Sequence, residues 1–239
     1  RYPLRRLPFR SIRGAAVIPN CVDINEFVPL PGPTSGTGFR IGMASRLTAT
    51  KDLSTLIRAL HELRRIDPSS AVHLEIAGSG PSLPELRTLV VALELELNVT
   101  FRGHVPSAHL GDFYRGLDAY VHSTDGETAS TAILQAMATE LPVIGSDVLG
   151  VNDLIQNDVT GLLVTPKNPG AMAQAISSLQ HDDALRIRLG RAGRDIARTH
   201  FSVEATTAEY LNLFARIDPT GPWLMAGSDE SHVRPIGHV

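Results

Sequence analysis

Short apolar stretches rich in β-branched residues alternate along this chain with longer segments that are apolar on one side only. The stretches predicted to be strands are 39–44, 72–77, 99–102, 119–122, 142–145 and 161–164. Strands that recur at intervals long enough for a helix predict a Rossmann-like α/β fold, in which helices cover both faces of a mostly parallel sheet.

The segments between the strands carry the periodicity of amphipathic helices. One apolar stripe consists of Leu53, Leu56, Ile57, Leu60 and Leu63, and a second of Leu86, Leu89, Val90 and Leu93. Spacings of three and four residues place such side chains on one face of a helix. After Val164 the pattern is helical to about Ile217. Residues 218–239 contain proline and glycine with little periodicity, and we predict a disordered tail there.

The composition is that of an ordinary globular protein and excludes few functions. Hydrophobic residues make up 43% of the 239 residues and charged residues 20%, with no apolar stretch long enough to span a membrane. The formal net charge of -3 argues against a nucleic-acid partner, since phosphate binding usually needs a basic face. The single cysteine, Cys21, excludes an internal disulfide, and with no signal-peptide pattern it favours a cytoplasmic protein.

Arginine crowds residues 1–16 despite the negative overall charge. Such a segment could make a peripheral contact with the anionic inner face of a membrane. Pro3 and Pro8 would interrupt an amphipathic helix, so we predict a basic connector, or the remnant of a preceding domain.

Ligands of open parallel sheets bind outside the carboxyl ends of the strands, which here are followed by loops 45–51, 78–82, 103–107, 123–131 and 146–153. In the first loop, Arg46 and Lys51 flank a polar turn at a helix start, where cations and backbone N–H groups could hold a diphosphate. A solvated basic loop is the alternative. In the second, Gly78 and Gly80 either let the backbone approach a ligand or only turn sharply.

The fourth loop carries the most specific pattern. Glu127 precedes a helix start at Ser130 and Thr131, where small residues would let an anion approach unpaired N–H groups. Gln135 follows Glu127 by eight positions, about two helical turns further on. In the alternative interpretation, Glu127 only stabilises the helix dipole and Gln135 faces solvent.

Taken in order, these segments resemble the retaining glycosyltransferases of GT-B fold grouped as family 4 (glycosyltransferase group 1). The similar segments are 17–23 (VIPNCVD), 46–51 (RLTATK), 74–81 (LEIAGSGP), 99–105 (VTFRGHV), 127–137 (ETASTAILQAM), 142–147 (PVIGSD) and 160–164 (TGLLV). The resemblance covers roughly residues 15–215. It implies that residues 17–217 are the C-terminal, donor-binding half of a GT-B fold.

The family's activity is the transfer of a sugar from a nucleoside diphosphate sugar to an acceptor, with retention at the anomeric carbon. By resemblance, Arg46 and Lys51 stabilise the departing diphosphate and Glu127 holds hydroxyls of the donor sugar. The resemblance implies no metal and no further cofactor. Positions that it assigns to nucleotide binding are Gly78, Gly80, His104, Val105, Ser130, Thr131 and Gln135.

The resemblance also implies an N-terminal α/β domain that contacts a glycan or lipid-linked acceptor. We therefore expect this chain to bind the donor but to transfer little sugar by itself. Two alternatives stay open: a degenerate module that only binds nucleotide sugars, and, ranked lower, part of a GT-B sugar-nucleotide epimerase. The first is motivated by Gln135, which replaces the second glutamate of the family signature and offers a neutral amide to the ribose.

Other positions favour structural roles. Asp52 stands where the family frequently has glycine. No pair of the nine histidines has metal-site spacing on a helix face. His73 and His122 fall within predicted strands, where we expect hydrogen-bonded histidines at the core or its edge.

Overall fold

The computed structural model describes residues 17–29, 38–68 and 70–217. The strands are β1 (Phe39–Ala44), β2 (Val72–Ala77), β3 (Val99–Gly103), β4 (Ala119–His122), β5 (Val143–Ser146) and β6 (Leu162–Val164). They form one sheet in the order β3-β2-β1-β4-β5-β6, in which each neighbouring pair is parallel. The predicted strands are confirmed to within one residue at each end.

Helices connect the strands and continue beyond the last of them. The α-helices of the described residues are α1 (Leu53–Ile66), α2 (Leu83–Ala92), α3 (Ser107–Arg115), α4 (Thr131–Ala138), α5 (Pro169–His181), α6 (Asp183–His200) and α7 (Val203–Ile217), and a 3₁₀ turn (Ala49–Lys51) precedes α1. The predicted stripe of α1 is completely buried, and α1 packs against α5. In the second stripe Leu86 and Val90 are buried, while Leu89 and Leu93 are partly buried at the edge of the core.

The sheet separates two apolar cores, because successive side chains of a strand point to opposite faces. Val121 and Ile144 pack in one core with α1, α2 and α5. Tyr120 and Val143, their neighbours in sequence, pack in the other with α3 and α4. The predicted α/β fold with helices on both faces is therefore confirmed.

One charged side chain is buried within the sheet. Glu75 of β2 is 4% exposed and pairs with Arg40 of β1 and Arg102 of β3. Burial opposes ionisation of Glu75, but hydrogen bonds from Arg102 and Arg40 outweigh it and lower the pKa. This ion pair joins three adjacent strands and was not expected from the apolar character of the strands.

The order of the strands in the sheet places a crevice next to β1. After β1 the chain builds β2 and β3 on one side and then returns to β4 on the other. In sheets of this order, the crevice outside the carboxyl ends of the strands at the reversal is the usual ligand site. The loops at this point are 45–51 and 123–131, which the sequence had also singled out.

The predicted connector (1–16) and tail (218–239) lie outside the described residues, and the domain limits at residues 17 and 217 stay predictions. None of the helices described combines the length and the apolar character needed to cross a membrane.

Candidate functional site

A cleft of about 280 Å³ opens at the carboxyl ends of β1, β2 and β3 and reaches the first turns of α4. Its lining includes the following predicted site residues: Arg46, Gly78, His104, Val105, Thr131 and Gln135. Sequence reasoning missed Ser45 and Leu110, which also line it. The hydroxyl oxygen Oγ of Ser45 is buried and has no hydrogen-bond partner among the described residues.

The two glycines of the second loop have different environments. Gly78 lines the cleft with a φ of +141°, and a Cβ atom there would overlap the carbonyl oxygen of Ser45. Gly80 lies outside the lining, and a Cβ atom there would overlap the carbonyl oxygen of Leu47. Gly80 therefore lets the loop after β2 pack closely on the loop after β1, a packing role that needs no ligand.

The start of α4 forms one side of the cleft. Ser130 is its N-cap, and the Oγ atom of Ser130 accepts a hydrogen bond of 3.3 Å from the backbone N–H of Ile133. This buried hydroxyl is thus occupied by the helix, whereas the exposed Thr131 lines the cleft. The partial positive charge of a helix N-terminus favours an anion at this end of the cleft.

Gln135, one helical turn further along α4, is held by a buried tyrosine. The hydroxyl of Tyr114 donates a hydrogen bond of 3.0 Å to the amide oxygen of Gln135. Burial raises the pKa of Tyr114, so the phenol keeps its hydrogen and needs an acceptor. That requirement orients the Gln135 amide with its oxygen toward Tyr114. A glutamate at this position could accept the same hydrogen bond.

Glu127 and Lys51, which lie outside the cleft lining, form an ion pair although they are 76 positions apart. We refer to Lys51, His122 and Glu127 as the carboxylate cluster. His122 Nε2 lies 3.2 Å from Glu127 Oε2, and Glu127 Oε1 accepts a hydrogen bond of 3.0 Å from the backbone of Thr128. Four residues of chain, which span at most about 14 Å, separate Glu127 from Thr131 of the cleft lining.

Hydrogen bonds between two loops assemble this cluster. The backbone oxygen of Thr50 accepts bonds of 2.9 Å from the Thr124 hydroxyl and from the Asp125 N–H. The backbone oxygen of Asp52 accepts a bond of 2.6 Å from the hydroxyl of Ser123. The loop after β4 is thereby fastened to the turn after β1, which brings Glu127 to Lys51.

The backbone conformation of Asp52 explains why glycine is frequent at this position in the family. Its φ of 37° and ψ of 43° are left-handed, and the αL region is freely accessible only to glycine, with Asp and Asn tolerated. One of its carboxylate oxygens accepts a hydrogen bond from Ser54, while the other is buried without a partner among the described residues. Aspartate here is thus compatible with the turn at some cost in strain.

Electrostatics keeps Glu127 ionised. A hydrogen bond from His122, together with the charge and hydrogen bond of Lys51, lowers the pKa of Glu127 from 4.5 to about 2, against the opposing effect of burial. Burial is the main reason that the pKa of His122 is lowered, with the charge of Lys51 acting in the same direction. At neutral pH the cluster therefore contains a carboxylate, an ammonium group and a neutral imidazole.

The lowered pKa of Glu127 makes the stability of the protein depend on pH. The carboxylate stabilises the folded state above pH 4.5 and loses this contribution as the pH falls toward 2. Between about pH 5 and pH 3 we expect the protein to lose about 2 kcal/mol more stability than the Glu127→Gln variant does. Urea denaturation at a series of pH values measures this. Parallel curves for the two proteins would contradict it, and Glu62→Gln on an exposed face of α1 is the control.

Within the described part of the chain, no three His, Cys, Asp or Glu side chains are grouped so that they could hold a metal ion. Whether the reaction needs a metal stays a prediction from the resemblance. His73 has the expected structural role, since its Nε2 lies 2.8 Å from the hydroxyl of Thr100. His122 is buried as expected, but its contact with Glu127 was missed. Its place in an apolar strand contained no signal for that contact.

Known proteins share this fold. The C-terminal domain of the group 1 glycosyltransferase LpcC of Francisella tularensis superposes with a TM-score of 0.69 at 25% identity, covering 76% of this chain and 99% of that domain. Anabaena HepE, solved in complex with UDP-glucose, superposes with a TM-score of 0.77 at 24% identity, covering 84% of this chain and 57% of that one.

Sequence comparison leads to the same group. The D-inositol 3-phosphate glycosyltransferase of Corynebacterium efficiens is 32% identical over 179 residues, which are 73% of this chain and 42% of that protein. The chain thus spans about half or less of the length of the curated relatives it matches. Residues 32–196, more than half of the chain, match the family described as glycosyl transferases group 1. The chain therefore belongs to the group 1 family of glycosyltransferases.

Proposed function

We propose that this chain binds a nucleoside diphosphate sugar and supplies the donor side of a retaining glycosyl transfer. The observation that carries the proposal is the cleft at the carboxyl ends of β1 to β3. Arg46, Thr131 and the N-terminal end of α4 meet in that cleft, and the ionised Glu127 lies four residues before Thr131. Cationic, hydroxyl and backbone donors suit a diphosphate, and a carboxylate suits sugar hydroxyls.

In the proposed reaction the bond between the anomeric carbon and the diphosphate oxygen breaks, and negative charge develops on the leaving group. Arg46 and the free N–H groups at the start of α4 face this charge. Lys51 has three N–H donors, so it can turn one toward the diphosphate while another stays with Glu127. Preorganised donors of this kind typically contribute about 2.7 to 4 kcal/mol each to transition-state stabilisation.

In the proposed reaction Glu127 binds the donor sugar. Because it is ionised and accepts hydrogen bonds from neighbouring groups, it can fix hydroxyls of the donor sugar at the edge of the cleft. That would orient the sugar so that the acceptor attacks the face from which the diphosphate leaves, which preserves the anomeric configuration. We assign the acceptor, a glycan or a lipid-linked group, to the part of the relatives that this chain does not match. The family match favours neither the degenerate binding module nor the epimerase.

Calorimetric titration of this chain with a panel of nucleoside diphosphates and their sugars tests the proposal. UDP and UDP-glucose belong in the panel because HepE was solved with UDP-glucose. We expect at least one nucleoside diphosphate to bind with one site per chain. If no member of the panel binds to folded protein, the proposed donor site is refuted.

The same titration distinguishes binding of the sugar from binding of the nucleotide. In Glu127→Ala we expect the affinity for the nucleotide sugar to fall about 10-fold, because hydrogen bonds to a charged group contribute at least 1.5 kcal/mol, roughly. The affinity for the matching diphosphate should not fall, since Lys51 is released from its ion pair. Glu62→Ala, on the exposed side of α1, is the control. Equal losses for both ligands would contradict the role assigned to Glu127.

A further inference from the structure

His122, the last residue of β4, has no part in the proposed function, yet its buried side chain contacts Glu127. His122 is 1% exposed, and its Nε2 atom lies 3.2 Å from Glu127 Oε2. We propose that His122 is a positioning residue, which holds the Glu127 carboxylate in place and ionised while Lys51 engages the diphosphate. The inference rests on the proposed function, because it assumes that Lys51 and Glu127 serve the donor.

The positions of the acceptors decide where the hydrogen of His122 lies. The carboxylate of Glu127 has no hydrogen to give, so the 3.2 Å contact is a hydrogen bond only if Nε2 carries one. On the other side of the ring, Nδ1 lies 3.2 Å from the hydroxyl of Tyr120. A neutral imidazole with its hydrogen on Nε2 can accept from Tyr120 and donate to Glu127 at the same time. The opposite tautomer would bring two acceptors together at Glu127.

Tyr120 holds the other side of the His122 ring in place. It is completely buried, burial raises its pKa, and its phenol therefore keeps its single hydrogen. The ring is packed against Tyr114, with ring centroids 5.5 Å apart. The hydroxyl also donates toward the backbone oxygen of Ala44, 3.2 Å away, so this oxygen and Nδ1 compete for its single hydrogen. The tautomer is therefore selected at Nε2, by the Glu127 carboxylate, which can only accept.

The two side chains that contact Glu127 differ in how freely they can move away from it. Lys51 lies in the turn after β1, and its side chain is 21% exposed on a flexible stem. The His122 side chain is only 2% exposed and belongs to a strand in the middle of the sheet. A diphosphate that attracts Lys51 would weaken the pairing of Lys51 with Glu127, and the hydrogen bond from His122 would then hold the carboxylate in place. The groups that face His122 are Tyr120, Glu127 and Lys51.

The tautomer can be measured directly in the unmodified protein. We expect long-range proton–nitrogen NMR spectra of the nitrogen-15-labelled chain at pH 8 to show the His122 hydrogen on Nε2, with and without UDP. A hydrogen on Nδ1 would overturn the inference. The measurement on the free protein needs no ligand, so a failure of the whole nucleotide panel to bind would refute the proposed function and leave this result standing.

The effect on Glu127 is tested in the Lys51→Ala background, in which His122 is the remaining side-chain donor. The pKa of the Glu127 carboxyl group, measured by carbon-13 NMR, should be about one unit higher in His122→Leu than in the background protein. In His122→Gln an amide N–H restores the donor, so at least half of the shift should be reversed. Equal pKa values in all three proteins would overturn the inference. If His122→Leu does not fold, His122→Gln and the tautomer of the unmodified protein decide the question.

Discussion

Replacing Lys51 by alanine is expected to weaken the binding of a nucleoside diphosphate by about 10- to 100-fold, because a hydrogen bond to a charged group contributes roughly 1.5 to 3 kcal/mol. Lys51 is paired with Glu127 in the structure. Its removal takes away a cation and also leaves the negative charge of Glu127 unbalanced near the diphosphate. Both effects oppose binding of an anion, and both should weaken as salt is added.

Calorimetric titration of Lys51→Ala at low and at physiological ionic strength measures the effect. Arg65→Ala is the matched control, since Arg65 lies on α1, is largely exposed, and pairs with Glu62 of the same helix. Thermal denaturation of each variant checks that the protein is folded. An affinity within about threefold of the unmodified protein would contradict the proposed role of Lys51.

Replacing Gly78 by alanine is expected to destabilise the fold by about 3 kcal/mol or more. Two independent penalties act at this position. The φ of +141° is rarely adopted by residues with a side chain, and the new Cβ atom would overlap the carbonyl oxygen of Ser45. Ser45 follows β1 and lines the cleft, so relief of this overlap would separate the loops after β1 and β2 and distort the cleft.

Substitutions at two other glycines distinguish the cost of backbone strain from the cost of the overlap. Gly103 has a φ of +69° but open space around a Cβ atom, so Gly103→Ala should cost about 1 kcal/mol from backbone strain alone. Gly126 has neither a positive φ nor a neighbour within 4 Å, so Gly126→Ala should stay within about 0.5 kcal/mol of the unmodified protein. Urea denaturation of the three variants gives the ranking. A Gly78→Ala variant as stable as Gly103→Ala would show that no overlap exists.

The apolar faces of the helices and the lengths of the strands could be predicted from the sequence because they depend on local periodicity. Leu56 and Ile57 of α1 are completely buried, since spacings of three and four residues already define the face of a helix. Glu75 shows the limit of such patterns. Its buried charge is compensated by arginines from two other strands, and that pairing depends on how the strands are aligned.

The residues that line the site could be predicted to a similar degree, but the contacts between their side chains could not. A general rule for parallel sheets identifies the loops that form the cleft, and Arg46, Gly78 and Thr131 do line it. Gly80 lies outside the lining and packs against Leu47 instead. Lys51, which we expected to face a diphosphate, is paired with Glu127 in the structure.

By itself, the sequence determined the order of strands and helices, the faces they bury, and the loops that carry the site, because each depends on residues close together in the chain. The tertiary structure alone decided which polar groups meet. Lys51 reaches Glu127 across 76 positions, and Tyr114 reaches Gln135 across 21. Such contacts require hydrogen-bond distances of about 3 Å, which only the packed sheet and its fastened loops can set.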